Sequence, residues 1–173
     1  PAYEFDVRLV GSEMCIRERL IDVTSSNAVL SLFGPKARDI LQVVTLNDVS
    51  DNGHPFGSAR QISIAGCPVL ALRITYVGEL GWELHLPIEY AQTIYNTLIE
   101  AGSPLGLRNA GYRAIETLRL EKGYRAWSSD IGPDHTPDEA GLGWAVKMKS
   151  NISFKGREAI AIQRAEGVKK IMA

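Results

Sequence analysis

Gln61-Ile62-Ser63-Ile64-Ala65-Gly66-Cys67-Pro68-Val69-Leu70-Ala71-Leu72-Arg73-Ile74-Thr75 is the stretch that decides the fold. Its flanks, Gln61 to Ala65 and Val69 to Thr75, are rich in β-branched residues, which suit a pleated, half-buried surface. Gly66-Cys67-Pro68 between them is turn chemistry, so the spacing predicts a hairpin. Trp82 to Leu86 reads as another strand. Upstream, Val29 to Phe33 is a short apolar run closed by Gly34-Pro35, and it reads as a buried strand. Pro35 is suited to opening a helix, and Lys36 to Val44 then follows helical spacing through Ala37, Ile40, Leu41 and Val44.

Outward from this centre, Asp51-Asn52-Gly53-His54-Pro55 is loop chemistry. Glu89 to Ala101 carries Tyr90, Ile94 and Leu98 on one helical stripe, with Gly102 as a C-terminal cap. Asn109 to Lys122 forms a second helix ended by Gly123. Trp127 to Glu139 reads as loop, Gly141 to Met148 as a strand and Gly156 to Glu166 as a last helix. Strand, helix, several strands, then helices is the order of an α+β fold: a ferredoxin-like antiparallel sheet with helices on one face.

The chain has 173 residues, 45% hydrophobic and 23% charged, with a net charge of -1 and a pI near 6.4. This is an ordinary globular balance, and it gives no basic excess for a nucleic-acid surface. No apolar run is long enough to suggest a membrane span. Tyr3-Glu4-Phe5-Asp6 lacks the basic-then-apolar pattern of a signal peptide, so Cys15 and Cys67 are expected as free thiols. Gly11-Ser12-Glu13-Met14-Cys15-Ile16-Arg17-Glu18-Arg19 has no clear period. It resembles the translation of a transposon-end adapter used in sequencing libraries. Residues 1–20 are therefore expected to be a non-native or disordered leader.

Motifs of the familiar catalytic classes are missing. His54, His85 and His135 share no short ligand spacing, and neither cysteine sits in a C-x-x-C pair, so no metal ligand is assigned. No phosphate-binding glycine loop and no G-x-S-x-G elbow occurs. What remains is Tyr76-Val77-Gly78-Glu79-Leu80-Gly81-Trp82-Glu83-Leu84. Glycines flank Glu79, so the backbone can turn sharply and a ligand can approach closely. A carboxylate there can accept two parallel hydrogen bonds from a planar N–H/NH2 edge such as that of a pterin. The pattern alone favours a plain hairpin with Glu79 and Glu83 in solvent.

A family resemblance shifts that balance. Asn27 to Arg38 is similar to the strand, Gly-Pro and helix stretch of the glycine-cleavage T-protein (aminomethyltransferase) family. Ile74 to Glu83 resembles its tyrosine-x-glycine-glutamate loop. Arg119-Leu120-Glu121-Lys122-Gly123-Tyr124-Arg125-Ala126-Trp127 through Asp130 resembles its Arg-Leu-Glu helix end. Pro137 to Lys147 and Phe154 to Ala159 continue the match in order. The forms Glu-Lys-Gly-Tyr-Arg-Ala-Trp and Gly-Tyr-Arg-Ala-Ile-Glu are most similar to the C-terminal folate-binding domain of sarcosine and dimethylglycine dehydrogenases.

The resemblance implies a tetrahydrofolate site that captures a one-carbon unit as 5,10-methylenetetrahydrofolate. It places Glu79 on the pterin edge, Tyr76 packed on the ring or donating its hydroxyl, and Trp127 either in the pocket wall or buried in the core. Arg113 is offered for the folate tail carboxylates, although the family's own arginine falls at Ile115. Arg119 and Glu121 are expected in surface roles on the helix, with Asp130 and Glu139 as loop holders. No residue is assigned a catalytic role, because the family's aspartate lies in a segment upstream of the matched region. The expected organisation is a partial folate-binding domain over residues 21–150, the second half of such a domain. Residues 151–173 follow as a helix and linker toward a C-terminal barrel. Its partners are the N-terminal half-domain and an FAD-bearing dehydrogenase part, in a bacterial cytoplasm or a mitochondrial matrix. The alternatives are a glycine-cleavage T-protein or a non-catalytic regulatory paralogue.

Overall fold

The computed structural model describes residues 21–168; the expected leader, with Cys15, lies outside the described residues. The chain divides into two compact units. The first runs up to Thr75 and resumes at Leu80–Arg108; the second combines Tyr76–Glu79 with the chain from Asn109 onward.

The first unit is a four-stranded antiparallel sheet. Its strands are β1 (Asn27–Phe33), β2 (Ala59–Ile64), β3 (Cys67–Leu72) and β4 (Gly81–Pro87), in spatial order β1-β4-β3-β2. Helix α1 (Ala37–Val44) follows β1, and α2 (Ala91–Gly102) follows β4. The register explains the core. Leu32 faces Trp82, Leu30 faces Leu84 and Ala28 faces Leu86 across β1 and β4, while Ala71 faces Leu84 and Ile62 faces Val69. Because side chains alternate along a strand, these positions share one face of the sheet. Ala37, Ile40 and Leu41 of α1 and Ile94 and Leu98 of α2 join them in one buried cluster. The α+β expectation therefore stands, with α1 and α2 supplying the apolar cover. The opposite face carries Val29, Glu83, His85 and Leu70, which stay half-exposed or exposed.

The hairpin at the centre is tighter than its sequence suggests. Ala65 and Gly66 alone form the turn, at φ 51° and 78°. Two consecutive positive φ values match the right-handed twist of the flanking strands, and glycine takes the second without steric cost. Cys67 and Pro68 belong to β3 instead of the turn. Pro68 is tolerated there because pairing with β4 starts only at Leu70, so no ladder bond is lost on that side.

The α1–β2 connection is pinned from within. Arg38 donates to the carbonyl of Val49 and, at 2.7 Å, to Asp51. Arg73 donates to the His54 carbonyl at 2.7 Å and pairs with Asp51 at 2.5 Å. Both guanidinium groups lie over the fully buried Trp82 ring, at 5.6 and 5.7 Å. The Asp51 side chain is 76% exposed, so its ion pairs add little. The buried bond to His54 and the ring contacts matter more.

The second unit contains α3 (Tyr112–Glu121) and α4 (Arg157–Glu166) joined by loops. Gly141 to Met148, expected as a strand, is a set of turns around a short 3-10 segment at Gly143–Ala145. Ala145 N donates to Leu142 O at 2.9 Å and Val146 N to Gly143 O at 3.2 Å. These local bonds take the groups a strand would offer to a neighbour.

Candidate ligand site

The second unit brings the Tyr76–Glu79 loop together with the segment that leaves α3. Val77 is 4% exposed and fastens the loop inward, while Glu79 points into solvent. Gly78 has φ 74°, and a side chain there would collide with Lys122. That position calls for glycine by its backbone, and the absent side chain lets the lysine stem lie close against it. Tyr76 faces Tyr124, with ring centroids 6.4 Å apart and planes 31° from parallel. Its hydroxyl donates to the Arg125 carbonyl at a long 3.5 Å. Among the described residues, Glu79 makes no hydrogen bond or ion pair. Two neighbouring, mutually tilted phenol rings and an unpaired carboxylate in one four-residue loop and its neighbour can receive a flat heteroaromatic with a donor edge.

Past α3 the chain folds back on itself. Tyr124 N donates to Arg119 O at 2.9 Å, Asp130 N to Ala126 O at 3.0 Å and Ser128 N to Ile131 O at 2.8 Å. Trp127 stands on this turn, 67% exposed. It also lines a cavity of about 290 Å³ with Ile131, His135, Pro137 and Leu142. Glu139 accepts from the Thr136 amide at 2.9 Å and hydroxyl at 2.8 Å, which staples the following loop and holds its carboxyl below the ordinary value. Asp130 is a loop holder as well, and its carboxyl is lowered first by the Ala126 amide and then by Arg119.

Arg119 departs from its expected surface role. It is 2% exposed and donates to Glu116, to Asp130 and, at 2.9 Å, to the Tyr124 carbonyl. Its guanidinium is held in the charged form first by Glu116 and then by Asp130. Helical periodicity hides this, because the partner Asp130 lies eleven residues on, beyond the helix. Tyr124 was likewise absent from the expected site. Its one sequence signal is an aromatic directly after the Gly123 stop. Arg113 sits exposed in the first turn of α3, with no side-chain partner among the described residues. Thus Tyr76 is joined to Tyr124 and Arg125, while Trp127 is held on the same unit and Arg113 is not drawn into the contact set.

Among the described residues, no three His, Cys, Asp or Glu side chains converge as a metal site. No described helix is long and apolar enough to cross a membrane. Cys67 is free and buried.

Residues 6–150 match the profile of the GCVT N-terminal domain. Mitochondrial sarcosine dehydrogenase of Mus musculus is 46% identical over 164 residues, covering 95% of this chain and 18% of that protein. Mitochondrial dimethylglycine dehydrogenase of Rattus norvegicus is 39% identical over 86% of this chain and 17% of its own length. An aminomethyltransferase of Symbiobacterium thermophilum is 39% identical over 86% of this chain and 40% of its own length. The chain therefore spans less than half of each of these relatives. The glycine cleavage system aminomethyltransferase T structure from Bartonella henselae superposes with a TM-score of 0.67 at 28% identity, over 82% of this chain and 37% of that one. With the profile matched across most of its length, the chain belongs to the GCVT N-terminal domain family.

Proposed function

We propose that this chain is part of the tetrahydrofolate-binding domain of a flavin-dependent sarcosine or dimethylglycine dehydrogenase, where it receives the one-carbon unit released from an N-methyl donor. The observation that carries this reading is Glu79, exposed and unpaired in a loop fixed by Gly78 and Val77 beside the Tyr76–Tyr124 pair. The identity to sarcosine dehydrogenase supports it. Tetrahydrofolate, when bound, supplies the N5 and N10 amines that take up the one-carbon unit. Glu79 would accept the pterin donor edge, Tyr76 and Tyr124 would bound the ring face, and Trp127 would form a further wall. Arg113 is available for the tail carboxylates.

The second unit also favours a place inside a larger enzyme. Its buried residues among those described are Val77, Arg119 and Ala140, whereas Trp144 is 84% and Ile152 76% exposed. Apolar surface of this kind is normally covered in a mature protein. A neighbouring half-domain would cover it, an FAD-bearing part of the parent would perform the oxidation, and the segment after α4 would lead to a C-terminal barrel. Such a parent works in a mitochondrial matrix or a bacterial cytoplasm.

The test is calorimetric titration of folinic acid into the full-length enzyme and its Glu79→Ala form. Loss of a charge-assisted contact should cost about 1.5–3 kcal/mol of binding. Equal affinity in both would remove Glu79 from the site.

A further inference from the structure

We infer that Arg119 is a positioning residue, a clasp that never meets the ligand but holds the turn after α3 so that Tyr124 and Trp127 stand out as a rigid aromatic wall. The purpose of that wall rests on the folate reading above; the clasp itself does not.

The guanidinium is spent internally. Nη1 reaches the Tyr124 carbonyl at 2.9 Å and Asp130 Oδ2, and Nη2 reaches Glu116. Nε is buried without a partner, and the whole residue is 2% exposed, so no open edge is left to fork onto a ligand carboxylate. The same Asp130 oxygen accepts the Ala126 amide at 2.9 Å. One arginine thus ties the end of α3 to both sides of the turn, at Tyr124 and at Asp130. Between them Ser128 is held at φ 78°, a backbone conformation that non-glycine residues adopt only when their surroundings impose it. Trp127, the neighbour of this strained residue, is two-thirds exposed. An imposed conformation with an exposed large aromatic is the form of a pre-organised binding surface.

Two variants test the clasp. Asp130→Asn keeps the shape of the acceptor and removes its charge. Arg119→Lys keeps the charge and loses the planar fork. Each is expected to weaken folinic acid binding to the full-length enzyme by about tenfold. Each should also speed hydrogen exchange at the Ala126 amide by a similar factor, while the β2–β3 hairpin amides exchange at the parental rate. A simple packing role would not move exchange at Ala126 and binding together while leaving the hairpin unchanged. Should Arg119→Lys fail to fold, Asp130→Asn decides. Unchanged folinic acid affinity in Asp130→Asn, with affinity lost in Glu79→Ala, overturns the positioning role and leaves the folate reading standing. Unchanged affinity in both variants overturns the folate reading. The clasp is then judged on Ala126 exchange alone, and parental exchange there overturns it too.

Discussion

The two units are held together by different physics. The sheet unit closes around a continuous apolar cluster from Leu32 through Trp82 and Leu84 to Ile94 and Leu98. The second unit has only Val77, Arg119 and Ala140 buried among the described residues, and its conformation depends on polar ties: Arg119 to Asp130, Glu139 to Thr136 and Arg164 to Asp138 at 2.8 Å. The difference teaches where adaptability is placed. Hydrophobic burial resists local opening, whereas turns fixed by a few polar contacts open at low cost. The Tyr76–Glu79 loop lies in the second kind of structure, and the proposed Arg119 clasp is what keeps the turn bearing Tyr124 and Trp127 from opening with it.

The largest effect that would break the comparison comes from the sheet core. Leu84 is fully buried between Leu30 and Ala71. Leu84→Ala should cost about 2–5 kcal/mol in thermal or denaturant unfolding. A loss under about 1 kcal/mol would mean the core is not the main support of that unit.

Next in size is Gly78→Ala, at about 1 kcal/mol for a non-glycine residue forced to positive φ. The accompanying collision falls on the flexible Lys122 stem, which can move. The damage should appear as faster exchange in the Tyr76–Glu79 loop with the sheet untouched. Equal exchange in loop and sheet would join what the comparison separates.

A smaller, pH-dependent effect belongs to His54. Its ring is fully buried, and burial lowers its pKa from 6.5, with Arg60 and Arg73 adding to the shift against the carbonyls of Ser58 and Ala71. The folded state therefore resists protonation more than the unfolded state does. The stability is present above pH 6.5 and is lost progressively as pH falls below it. Melting temperatures of the parent and of His54→Phe should diverge below that pH, the parent falling faster. Parallel curves would show that His54 is not buried in neutral form. Smallest of all is Asp51→Asn. With its side chain 76% exposed, the change should stay within about 0.5 kcal/mol in chemical denaturation. A loss several times larger would show that charge holds the α1–β2 loop.

How much of this was legible beforehand follows the same division. Strands β1 to β4 and helices α1 and α2 could be read because alternation and helical spacing record burial against a single core. Gly141 to Met148 was misread as a strand because its apolar residues serve turns, which leave no period. Glu79 and Tyr76 could be singled out from flanking glycines and family likeness. Arg119 could not, since Tyr124 and Asp130 are brought to it by a reversal of the chain that no local spacing encodes, and only Glu116 is a neighbour along its own helix. Pro68 shows the limit inside the sheet, where its place in a strand depends on where β4 begins to pair.

The central claim is that the ligand is received by the unit held by polar ties and not by the sheet. Hydrogen exchange of the full-length enzyme with and without folinic acid tests it most directly. The account predicts protection confined to Tyr76–Glu79 and to the Tyr124–Ile131 turn, with β2 and β3 unchanged. Protection in the sheet with neither segment affected would contradict it.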